Sequence, residues 1–128
     1  MPVDPAPGAA PRVSVTDSAR KTVFARLGDR LRVAGMAELV GEDARIPQDR
    51  IDTLVAATKA VFPRAARDFD APEPWTGMRP ATPRGTPLVG ALPGAPRNLL
   101  FNTGHGALGF TLAFGTAREL VGQLPAAR

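Results

Sequence analysis

Two hydrophobic periods follow one another along this chain. From Arg12 to Gly41, "RVSVTDSARKTVFARLGDRLRVAGMAELVG" interleaves apolar with small polar residues, the period-two pattern of strands with one buried face. Val13, Val15 and Thr16 predict a short strand, Val23 and Phe24 a second, and "RLRVAGMAELV" a third. Gly28-Asp29 supplies a hairpin turn between the second and third. Connections this short cannot carry parallel crossovers, so the pattern predicts an antiparallel meander. The period then lengthens. In "IPQDRIDTLVAATKAVFP", Ile51, Leu54, Val55, Thr58 and Val61/Phe62 recur at helical spacing, with Pro47 near the start and Pro63 just past the end.

Prolines and glycines punctuate "FDAPEPWTGMRPATPRGTPLVG" and confine it to extended strand and turn. "RNLLFNT" predicts a short buried strand. From about Gly106 to Leu124 a second helix is expected, with Leu108, Leu112, Ala113, Leu120 and Val121 as core residues. Residues 1–11 show no periodicity and predict an extended or frayed start. Strands, helix, strands, helix, without two consecutive βαβ units, is an α+β order.

Composition narrows the chemistry. The chain has 128 residues, room for one domain with a modest core. Its 44% hydrophobic and 22% charged content is that of a globular protein. There is no cysteine, which excludes disulfides and thiolate metal sites, and the one histidine, His105, cannot build a metal centre alone. The net charge of +4 comes from scattered arginines, and Arg20-Lys21 is the only adjacent basic pair. The few aromatics do not interleave with those cations, so a basic nucleic-acid-binding module is a minor alternative. "MPVDPAPGAAPR" has neither a basic nor an apolar leader region. No apolar run approaches the roughly 20 residues that span a bilayer. The expectation is a cytoplasmic protein without a transmembrane segment.

The most chemically suggestive stretch is "NLLFNTGHGALGF". Gly104, Gly106 and Gly109 form G-x-G-x-x-G between an expected strand and an expected helix, the spacing of a dinucleotide-binding turn. Such a site also needs a second parallel strand ending in an acid about 20 residues on. Here the text after Gly109 ends in "LPAAR", and its sole acid, Glu119, falls inside the expected helix. A self-contained nucleotide site is therefore not expected. Two readings stay open. The glycines either let a flat, anionic edge approach free N–H groups at a helix start, or simply pack helix on strand.

"WTGMRPATPRGTPLVG" followed by "NLLFNTGHGALGFTLAFGTARELV" resembles the carboxy-terminal signature of the FAD-dependent D-amino acid oxidase and dehydrogenase family, in its bacterial dehydrogenase branch. "FARLGDRLRVAGMAELVG" and the helix ending "AVFP" resemble that branch's substrate-domain elements, so the likeness runs from about Pro11 onward. It implies a flavin-binding Rossmann part interwoven with an antiparallel substrate part. Residues 12–90 would belong to the substrate side, and 91–128 would return to the flavin side. The partner implied is an amino-terminal flavin-binding portion or subunit. FAD is the cofactor implied, with Gly104, His105, Gly106, Ala107, Leu108, Gly109 and Thr111 along the flavin ring and backbone N–H groups at its pyrimidine edge. The arginine of G-x-R-P, Arg79, would pair with the carboxylate of a D-amino acid substrate. His105 is expected as a loop residue, and no side chain is assigned as general acid or base. Arg84 departs from the family pattern, which carries an acid there. The activity implied is oxidative deamination, with peripheral inner-membrane association if a quinone accepts the electrons. The alternative within the family is an inactive remnant or partner subunit.

Overall fold

Period-two alternation produces a three-stranded antiparallel meander in the computed structural model, which describes residues 1–124. Its strands are β1 (Val15–Asp17), β2 (Thr22–Leu27) and β3 (Arg30–Gly35). Residues 125–128, the end of the expected flavin-side segment, lie outside the described residues. The register pairs Thr22 with Gly35, Phe24 with Val33 and Arg26 with Leu31. Directly opposed residues share a face, which puts Phe24, Leu31 and Val33 on one side. Gly28, at φ +63°, opens the two-residue turn between β2 and β3. A glycine at that first position is what a type II′ hairpin turn favours. In the turn after β1, Asp17 accepts hydrogen bonds from the Ala19 and Arg20 N–H groups, both at 3.0 Å. These bonds, the Arg20 N–H foremost, hold its carboxyl below the usual range.

Against this sheet packs α1 (Gln48–Val61), bounded by Pro47 at its N-cap and Phe62 at its C-cap. Its Ala57 and Val61, with Phe62 beyond, pack on a core of Val3, Ala10, Phe24, Leu31 and Ala65. Phe24 is wholly buried and meets Phe62 edge-to-face, centroids 5.3 Å apart. Such aromatic pairs add about 0.5–1.5 kcal/mol beyond the area they bury. α1 approaches Gly35 closely: a Cβ there would lie 2.9 Å from Leu54 Cδ2 and push that side chain aside.

Two strand limits change in this part of the chain, and the start, expected as extended or frayed, is tied down. The Leu31 N–H donates to the Met1 carbonyl at 2.8 Å, and the Val3 N–H to the Asp29 carbonyl at 2.7 Å. Val3, Ala9, Ala10 and Pro11 are buried. The third strand stops at Gly35 because Met36 turns into the left-handed region, at φ 68°, and Leu39 and Val40 beyond it are exposed. The first strand begins at Val15, and Val13 is exposed.

The chain divides into two compact units, Met1–Gly77 and Met78–Arg128. In the second, β4 (Leu88–Gly90) pairs antiparallel with β5 (Phe101–Thr103). A single 3-10 turn, Gly106–Leu108, then leads into α2 (Gly109–Gly122), which packs on both strands. This α+β arrangement of two small antiparallel sheets and two helices agrees with the class read from the element order. The expected burial does not hold throughout. In the "RNLLFNT" stretch Leu99, Asn102 and Thr103 are exposed, since a two-stranded sheet has one helix to cover one face. On α2 only Leu112, Thr116 and Leu120 turn inward, and Ala113 and Val121, expected as core, are exposed. Leu108, in the preceding turn, is 55% exposed. Phe110 and Phe114, four residues apart on the helix, stand 95% and 90% exposed. No helix among the described residues is long and apolar enough to cross a membrane.

Candidate functional site

The second unit brings the glycine turn and the arginine segment together. Pro80 prevents its own segment from joining a helix, and the Ala81 N–H folds back to the Arg79 carbonyl at 2.8 Å. Ala81 then bridges His105 in antiparallel fashion. The Gly106 N–H donates to the Pro80 carbonyl at 2.8 Å. The backbone of Arg79 is thus fixed one residue from a direct hydrogen bond to the turn. Its side chain is exposed, as is that of Arg84. Arg84 rides on a separate tight turn, closed by the Thr82 hydroxyl donating to the Thr86 carbonyl at 2.7 Å.

Each glycine of the turn has its own physical reason. Gly104 is buried at φ +80°, and a Cβ there would lie 2.5 Å from Thr82 Cγ2. Gly106 takes φ +56°, yet nothing lies within 4 Å of the place its Cβ would occupy. Gly109 is the first residue of α2 and meets only His105 Cβ, at 3.6 Å. Gly104 therefore fits the turn against its own fold, whereas Gly106 leaves an open face. The remaining members of the predicted set follow in order. Ala107 and Leu108 occupy the exposed 3-10 turn, and Thr111 the exposed first turn of α2. One expectation is refined here. The Gly106 N–H is already engaged by Pro80, so a ligand on this face would draw on the other donors at the helix start.

His105 sits between the two glycines at φ −73°, ψ −7°. Its Nε2 lies 3.2 Å from Thr116 Oγ1, and Thr116 is buried on the inward face of α2. Sequence reasoning passed over Thr116. The signal was present, because a hydroxyl stands midway between Leu112 and Leu120 on an otherwise apolar helix stripe. Among the described residues no group of three or more His, Asp or Glu could hold a metal ion.

The turn thus combines an open Gly106 face, the N-terminus of α2 and the Arg79 segment bonded to it through Pro80. Comparison with known proteins gives this arrangement its context. Residues 1–123 match the model of the FAD dependent oxidoreductase (DAO) family, and the chain belongs to that family. The chain is similar to D-amino acid dehydrogenase 2 of Ralstonia nicotianae, 58% identical over 84% of this chain and 26% of the relative. It is 51% identical to D-amino acid dehydrogenase 2 of Pseudomonas aeruginosa over 90% of this chain and 27% of the relative. A D-amino acid dehydrogenase of Paramagnetospirillum magneticum is 47% identical over 99% of this chain and 30% of its own length. The chain thus spans between a quarter and a third of these relatives. No solved structure matches it at comparable stringency.

Proposed function

We propose that this chain serves as the carboxy-terminal portion of an FAD-dependent D-amino acid dehydrogenase. In this reading residues 12–90 lie on the substrate side and residues 91–128 return to the flavin side. The observation that supports it is the Pro80–Gly106 hydrogen bond, which ties the Arg79 segment to the glycine turn. Arg79 holds the substrate carboxylate, because a planar guanidinium fork matches a carboxylate bidentately. Gly104, His105, Gly106, Ala107, Leu108, Gly109 and Thr111 would form the surface that holds the flavin ring. The N-terminus of α2 favours negative charge there by about 0.3–2 kcal/mol. When bound, FAD supplies the two-electron acceptor: the α-hydrogen of the D-amino acid leaves as hydride, and the imino acid hydrolyses to a 2-oxo acid and ammonia. The residues of this chain orient the substrate, and no side-chain base is assigned.

The exposed outer face of α2 supports the same reading. A helix apolar on more than one side is normally covered on more than one side. Phe110, Phe114 and Val121 are exposed on α2, and a flavin-binding portion supplied by the rest of such an enzyme would cover them. The experiment is kinetic. In an enzyme assembled from this chain and an amino-terminal flavin-binding portion, Arg79→Ala removes a charged hydrogen bond worth about 1.5–3 kcal/mol. The expected loss is about 10- to 150-fold in kcat/KM with an unchanged flavin spectrum. A loss below about threefold would move the carboxylate to another cation, with Arg84 the first to test.

A further inference from the structure

Thr116 carries one hydroxyl proton and has more than one acceptor within reach. Its Oγ1 lies 3.1 Å from the Leu112 carbonyl, 3.4 Å from the Ala113 carbonyl and 3.2 Å from His105 Nε2. If the proton points at the ring, one hydrogen bond forms and the ring nitrogen must be bare. If it points at Leu112, the oxygen is free to accept from the ring, and two bonds form in series: Nε2–H to Oγ1, and Oγ1–H to the carbonyl. Thr116 is buried, so the arrangement with more satisfied groups wins, and bonds in series strengthen one another.

We propose that Thr116 is the positioning residue of the glycine turn. It holds His105 as the Nε2–H tautomer and thereby locks the Gly104–Gly106 backbone onto α2. The ring's lone pair is then confined to Nδ1, and the imidazole cannot swing across the open face above Gly106. This rests on the flavin-edge reading for its consequence but not for its geometry. A turn fixed in this way presents a ring edge with donors already in place, which is the preorganisation that orientation-dependent chemistry requires.

His105 is the only histidine in the sequence, so ring nitrogen spectroscopy of the full chain reports this one site. In the ¹⁵N-labelled chain at alkaline pH, Nε2 is expected as the protonated, pyrrole-type nitrogen and Nδ1 as the bare, pyridine-type one. Thr116→Val keeps the shape and removes the hydroxyl. It should speed solvent exchange of the Nε2 proton about 2- to 12-fold, the range that loss of one net hydrogen bond gives. Thr116→Ser should restore the slow rate. Protonation at Nδ1, or an exchange rate indifferent to Thr116→Val, overturns the proposal. In the flavin-loaded assembly, Thr116→Val should shift the visible flavin bands at full occupancy and Thr116→Ser should return them. Unchanged bands would reduce the pair to a packing contact and overturn its positioning role. The tautomer measurement needs no flavin, so its failure is distinguishable from failure of the flavin reading.

Discussion

Replacing Gly104 with alanine separates the two constraints that shape the turn. At φ +80° an L-residue costs roughly 1–2 kcal/mol over glycine. The added Cβ would also sit 2.5 Å from Thr82 Cγ2, too close for any relaxed contact. Thr82 cannot simply rotate aside, because its hydroxyl is committed to the Thr86 carbonyl at 2.7 Å. Moving it forfeits that bond, a further loss of about 0.5–1.5 kcal/mol. Together the terms predict a destabilisation of about 1.5–3.5 kcal/mol. Gly106→Ala is the internal control. It shares the left-handed backbone, at φ +56°, but its Cβ meets open space, so only the first term, about 1–2 kcal/mol, applies. Native-state hydrogen exchange of amides in β4, β5 and α2 measures both variants on the unit concerned. If Gly104→Ala costs no more than Gly106→Ala, the steric part of the reasoning is wrong and Thr82 is not a fixed wall.

Two further outcomes follow from the same geometry. Gly106→Val adds a β-branched side chain on the open face, so FAD occupancy of an assembled enzyme should fall well below that of Gly106→Ala, the control for the left-handed backbone. Full flavin absorbance per protein would leave the turn as packing alone. Phe24→Ala empties the centre of the first unit, where Phe24 is 0% exposed and stacks edge-to-face on Phe62. The expected cost is about 3–5 kcal/mol, read from urea unfolding followed at Trp75, whose ring lies under the Arg32 guanidinium at 4.9 Å.

The limits of α1 were legible because Pro47 and Pro63 bracket a clean helical period, and the β2–β3 hairpin because Gly28-Asp29 separates two alternating runs. The overlong third strand shows where pattern runs out. "MAELV" continues the alternation, but the left-handed backbone at Met36 withdraws it from the sheet. Apolar pattern also predicted burial for Leu108, Ala113 and Val121. Pattern records what a helix is able to bury, and the described chain supplies a cover for only one face of α2. The glycines of the candidate site were visible as spacing, and Arg79 as part of a motif. Their juxtaposition was not, because it rests on a single antiparallel bridge between Ala81 and His105, residues far apart along the chain. Thr116 went unnoticed for a related reason. Its meaning lies in what it faces across the turn, and one hydroxyl in a helix text does not disclose a partner.

The central claim is that this chain supplies the ring edge of a flavin site and not its nucleotide half. It is tested most directly by measuring flavin retained after gel filtration, with and without an amino-terminal flavin-binding portion such as that of a D-amino acid dehydrogenase relative. Dye reduction by D-alanine is followed on the same fractions. The chain alone should retain no FAD and reduce no dye, and the co-expressed pair should hold near-stoichiometric flavin and reduce the dye. A chain that turns yellow and reduces the dye unaided, or a co-expressed pair that stays free of flavin, would contradict the claim.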